Sequence, residues 1–154
     1  MTKNCEKLCR DAKFCVSTIL YFTLIAPVST QAHAVSVCKK DVCVQVEVVS
    51  KDEDLQRGLQ GRDVLADHHG MLFVFKSDGF YRFWMKDMRF PIDMIWIDRQ
   101  HHIVTIAPSR LPCVQDPCPV YEPSGQARYC LEASDGFALK NQLKTGDLLE
   151  FKGI

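Results

Sequence analysis

The sequence predicts a mainly β, antiparallel domain with one or two short helices. Three observations carry this. Val42 to Val49 alternates apolar and polar side chains, with Val42, Val44, Val46 and Val48 on one face, the period of a half-buried strand. Runs rich in β-branched and aromatic residues, Leu72 to Phe75, Ile92 to Ile97 and Ile103 to Ala107, are separated by turn-forming clusters. Only Ser50 to Glu53 reads as a helix start, a capping box before a helix ending near Gly58.

Taken in order, the first 34 residues form a leader. Lys3, Lys7, Arg10 and Lys13 precede an apolar run from Phe14 to Val28, and Ala32, His33, Ala34 puts small residues at the cleavage-specifying positions. The run is shorter than the ~20 residues a spanning helix needs and ends at Pro27. The expectation is a signal peptide over residues 1–34 and one β domain over 35–154, periplasmic or secreted, with no membrane span after cleavage. The leader holds four of the 19 basic and two of the 19 acidic residues, so the mature chain carries 19 − 4 = 15 against 19 − 2 = 17, a net charge of −2. That balance does not suit nucleic acid or an anionic membrane.

Cys5, Cys9 and Cys15 leave with the leader, and Cys38, Cys43, Cys113, Cys118 and Cys130 remain. In an oxidising compartment, proximity in sequence favours Cys38–Cys43 and Cys113–Cys118 as disulfides; other pairings and a zinc site are the alternatives, although the CxxxxC gap and the lack of a His partner fit zinc poorly. Cys130, in a strand between Tyr129 and Leu131, reads as a free thiol acting as a small hydrophobe.

Past the helix, Arg57 and Arg62 allow two readings: pairing with carboxylates, or, for Arg62, holding an anionic ligand with its planar fork. His68 and His69 belong to a surface turn. Lys76 to Gly79 reads as a turn into a strand from Phe80 to Lys86 that sends Tyr81, Phe83 and Met85 inward and Arg82, Trp84 and Lys86 outward. Pro91 closes a loop before Ile92 to Ile97, so the stretch from Met71 to Ala107 reads as a meander of neighbouring strands. Pro108 to Gly125 is a proline-rich loop, Arg128 to Ala133 a strand, Leu139 to Leu143 a turn of helix, and Leu148 to Phe151 a final strand.

The motifs RGLQGR, GMLFVF, FWMK, PIDMIWID and RYCLEA, in this order, resemble those of the domain of unknown function 192 family, small domains that are often exported. Gln60 stands at the Met position of the family's GLMGR motif, and Asp87 and Met88 stand where it reads Asn and Thr. The resemblance implies a compact β-sandwich or barrel of jelly-roll type; the family's biochemical role is uncharacterised.

No GxSxG, HExxH or phosphate-binding glycine loop is present, and no cofactor or metal is expected. The leading expectation is a non-enzymatic, monomeric binding or structural module for a small polar molecule, a glycan or an envelope partner. Its ligand residues are Arg62, Arg82, Trp84, Lys86 and Asp93, an aromatic ring and cations that suit stacking and anion contacts; for Asp93 the other reading is structural, accepting loop N–H groups or pairing with Arg89. Two other readings stand beside it. One is an envelope-acting hydrolase using paired carboxylates among Asp93, Asp98 and Glu132, which requires two of them within about 10 Å. The other is Cu(I) binding by the thioethers of Met85, Met88 and Met94, against their use as core filler.

Overall fold

The structure, a computed structural model, describes residues 35–154. The expected signal peptide lies outside the described residues. The chain runs β1 (Ser36–Lys39), β2 (Val42–Val49), α1 (Asp52–Arg57), β3 (His69–Gly79), β4 (Phe83–Trp84), β5 (Ile92–Ile97), β6 (Ile103–Arg110), β7 (Val120–Tyr121), β8 (Ala127–Ser134), α2 (Phe137–Lys140) and β9 (Glu150–Lys152). Seven strands form one curled sheet in the order β6-β5-β8-β3-β2-β1-β9, while β4 and β7 pair separately. The mainly β class with two short helices is therefore as expected. Among the described residues no helix is long and apolar enough to cross a membrane.

The topology corrects the sequence reading in two places. The strands do not form a meander, because β8 lies between β3 and β5, antiparallel to both. β5 is buried at all six positions and so needs cover on both faces and a partner on both edges; β8, with Ala127, Cys130, Leu131 and Ala133 all buried, can fill such a central place. Nor is the sheet wholly antiparallel. β2 pairs with β3 in parallel, Gln45 opposite His69 and Val49 opposite Phe73, and residues 50–68 supply the crossover such a pair requires. Gly70 permits a close approach to β8: a Cβ there would stand 2.4 Å from the Glu132 carbonyl oxygen.

Local boundaries also shift. Lys76 to Gly79 stays in β3, with Gly79 opposite Ala127, and is not a turn. The strand expected at Phe80 to Lys86 shortens to β4, although its inward and outward alternation holds, with Met85 buried and Trp84 half exposed. The capping box does not form; Lys51 holds the N-cap position and no side chain caps α1. The second helix sits at Phe137–Lys140, and the loop after β6 gains β7.

Side chains alternate across the sheet and build two cores. Val44, Leu72, Ile95, Ile97 and Leu131 face α2 and Leu149. Met71, Phe73, Met94, Trp96 and Cys130 face the other way, against Leu59, Met85 and Met88. Cys38 and Cys43 pair at disulfide distance across the β1–β2 hairpin, and Cys113 and Cys118 do so in the loop before β7, the two pairings expected from proximity in sequence.

Candidate functional site

A cleft of about 510 Å³ opens over the second core, between the end of α1 and the segment Tyr81 to Trp84. Its first wall exists because α1 stops abruptly. Gly58 takes φ 51° and ψ −132°, a conformation costly for any residue with a Cβ, and its N–H donates to the Asp54 carbonyl. The chain then turns Leu59 into the core. A Cβ on Gly58 would lie 3.1 Å from Phe73 Cζ and 3.9 Å from Glu132 Oε2, so the bare glycine leaves open the space above that carboxyl group.

The second wall is aromatic and held in place by its own contacts. Tyr81 stacks on Phe75 with centroids 3.5 Å apart, and its hydroxyl donates to the Ser77 carbonyl at 2.7 Å. The Trp96 indole N–H donates to the Tyr81 carbonyl at 2.8 Å. Phe83 meets Phe73 and Trp96 edge-on at 5.0 and 5.8 Å. Trp84 remains half exposed, with Lys86 Nζ 5.8 Å from its ring centroid. The backbone N–H of Cys113 donates to the Met85 carbonyl at 3.0 Å, which ties the disulfide loop to this wall.

Glu132 forms the floor. It projects from β8 on the face of its strand partners Met71 and Met94, and it is 5% exposed. Its Oε2 has no hydrogen-bond partner among the described residues. Burial raises its pKa to about 8, while the Arg62 charge pulls in the opposite direction. At neutral pH the side chain is thus chiefly a neutral acid, able to donate one hydrogen bond as well as accept. Arg62 is occupied elsewhere: Nη1 and Nη2 donate to the two carboxylate oxygens of Glu47 at 2.6 and 2.7 Å. That fork lowers the Glu47 pKa and raises that of Arg62, hydrogen bonding being the largest cause in each.

The structure brings Arg82 and Trp84 to the cleft but distributes the other expected ligand residues. Lys86 pairs with Asp116 at 3.2 Å, and Arg82 with Glu122 at 3.5 Å. For Asp93 the ligand reading is overturned and the structural one fits. It is fully buried, and its carboxylate accepts the N–H groups of Ser109 at 2.7 Å, Gly136 at 3.3 Å and Ala138 at 2.7 Å. It fastens the end of β6 to the start of α2 and has no part in the cleft.

The paired-carboxylate arrangement fails for the same reason. Asp93 is opposite Ala133 and Glu132 opposite Met94, so the two acids leave opposite faces of the sheet. Asp98 accepts the N–H groups of Gln100 and His102, each at 2.8 Å, in the turn after β5. Among the described residues lining the cleft, Glu132 is the one carboxylate. Met85, Met88 and Met94 are buried in the apolar cluster with Phe73 and Trp96, the environment of core filler and not of a thioether cage. Cys113, Asp116 and Cys118 approach one another within 4.8 Å, but the disulfide occupies both sulfurs. Cys130 is a free, fully buried thiol whose pKa burial raises well above the ordinary value.

Sequence reasoning named Glu132 for the wrong partnership and missed its place on the floor of a cleft. The available signal was an acid set among Cys130, Leu131 and Ala133, where alternation puts it on a buried face.

No curated protein matches the chain. Among solved structures it is similar to a candidate transcription regulator from Sinorhizobium meliloti 1021, with 26% identity, 79% of this chain and 95% of that chain covered, and a TM-score of 0.70. It is also similar to a protein of unknown function from Novosphingobium aromaticivorans DSM 12444, with 25% identity, 81% and 89% coverage, and a TM-score of 0.69. The family model of DUF192, described as an uncharacterized ACR, matches residues 35–151. The chain with its aromatic cleft and buried Glu132 thus belongs to the DUF192 family.

Proposed function

We propose that this protein is an exported, monomeric, non-enzymatic binding module, and that the cleft over Glu132 takes a small polar molecule with a ring-like body. The observation that carries the reading is the Glu132 carboxyl: an unpartnered buried polar atom costs about 1–3 kcal/mol, and a ligand that hydrogen-bonds it would recover much of that. The aromatic wall supports the rest, since Tyr81, Phe83 and Trp84 offer flat apolar surface beside a polar floor. The volume falls in the usual range for small-molecule sites, roughly 300–1,000 Å³.

The leader over residues 1–34 and the two disulfides of the 35–154 domain support export into an oxidising compartment, the periplasm or the exterior. With one carboxylate at the cleft, two-acid hydrolysis receives no support. A mature chain with a net charge of −2 gives no support to a role on DNA.

Thermal unfolding of the disulfide-bonded protein against envelope sugars, organic anions and metals tests the reading. A ligand at about a hundred times its dissociation constant adds roughly 2.7 kcal/mol. The shift should vanish in Trp84→Ala and shrink in Glu132→Gln. A ligand whose shift survives both substitutions would put binding elsewhere and end the proposal.

A further inference from the structure

The cleft offers two kinds of polar group, and they differ in chemistry. At the floor stands a carboxyl group with one oxygen unpartnered. Two exposed arginines, Arg57 and Arg82, also line the cleft, and their exposure puts them on its solvent side. Arg57 is exposed and, unlike Arg62 and Arg82, has no ion-pair partner among the described residues. Arg82 reaches Glu122 only at 3.5 Å, with both side chains mostly in solvent, a contact weak enough to yield to a ligand. The half-exposed Trp84 ring and the Tyr81 and Phe83 side chains line it as well.

We propose that the ligand of this cleft is an acidic sugar or a sugar-like hydroxy acid: a hydroxyl meets Glu132 at the floor, the ring lies against the aromatic wall, and the carboxylate meets Arg57 and Arg82 on the solvent side. This rests on the small-molecule reading of the cleft and adds a class and an orientation to it. Hydroxyl groups both donate and accept, so they can satisfy a carboxyl oxygen in either protonation state. A planar guanidinium takes a carboxylate through two parallel hydrogen bonds, a match that a neutral sugar cannot make. The arginines also disfavour the obvious competitor, an organic cation drawn to Glu132, because it must pass and remain near two like charges.

Calorimetric titration of the disulfide-bonded protein with glucuronate, glucose and glucosamine separates the classes. Glucuronate should bind roughly tenfold more tightly than glucose, the difference expected of one charge-assisted pair. Arg57→Gln, a change at an exposed side chain, should shrink that preference, because only the Arg82 guanidinium then remains for the carboxylate. Glu132→Gln should weaken both sugars. Equal affinity for glucose and glucuronate, or tightest binding of glucosamine, would overturn the proposal.

Absence of binding by all three sugars would overturn it as well, and a fragment screen followed by amide chemical shifts then decides the fate of the underlying reading. Shifts at Gly58, Trp84 and Glu132 with unrelated small molecules would keep the cleft as a binding site and discard only the sugar class. No shifts there with any fragment would discard both.

Discussion

Asp93 and Glu132 stand on neighbouring strands one register step apart, both buried, yet they live in opposite conditions. Asp93 accepts three backbone N–H groups on the α2 side of the sheet; Glu132, on the other side, leaves an oxygen with no donor at all among the described residues. Burial alone therefore does not say whether an acid is spent on the fold or left open to a ligand. Hydrogen-bond satisfaction does, because a saturated carboxylate has nothing left to offer a ligand, whereas an orphaned one is a standing cost that persists where something else compensates it.

The largest effect should come from breaking the satisfied side. Asp93→Ala removes the acceptor of three N–H groups in an enclosed site and should destabilise the fold by about 4 kcal/mol, near the upper end for single substitutions. Urea titration checks this: the midpoint should fall with little change in slope. A loss below about 1 kcal/mol would mean that water reaches those N–H groups and that the contrast with Glu132 is smaller than the geometry implies.

Glu132 should show its side of the contrast as pH dependence. Its folded pKa of about 8 stands above the ordinary value of 4.5, so between these limits the folded chain holds a proton that the unfolded chain has released. Rising pH then favours unfolding. Stability from this group is complete below about pH 4.5 and is lost by about pH 8, at a rate of up to about 1.4 kcal/mol per pH unit. Glu132→Gln should flatten that decline and leave the variant more stable than the parent at pH 9. If denaturation of parent and variant follows the same pH profile, Glu132 is not the buried acid described above.

Gly58→Ala sharpens the comparison by filling the space above Glu132. The alanine Cβ meets Phe73 at 3.1 Å in a backbone conformation foreign to L residues, so a loss of about 1–3 kcal/mol is expected. Asp93 is on the far face and should be untouched: the Ala138 amide should keep its hydrogen-exchange protection relative to global stability, while any ligand response of the cleft is lost.

Part of this was legible in the sequence, and the legible part is local. Alternation placed Met85 inward and Trp84 outward although β4 is only two residues long, because side-chain period is set by the backbone of the segment itself. The two disulfides joined cysteines already close in the chain. What could not be read was pairing between distant segments. Whether β3 has β4 or β8 as its partner decides which face Glu132 shares with Gly58, and no local pattern encodes that choice. Asp93 was hard to assign for a related reason, since two of its three donors come from the α2 region, more than forty residues away.

The smallest predicted effect concerns Arg62, which acts on the cleft only through its charge. Arg62 is locked to Glu47 in a partly exposed fork, so Arg62→Gln should cost no more than about 1 kcal/mol at neutral pH. The informative change lies elsewhere. Arg62 is the charge that opposes burial at Glu132, so its removal should push the Glu132 pKa further up and move the end of the stability decline to higher pH. Carbon-detected titration of the Glu132 carboxyl in parent and variant measures this directly. An unchanged midpoint would mean that Glu47 already neutralises Arg62 as far as Glu132 is concerned, leaving the cleft floor governed by burial alone.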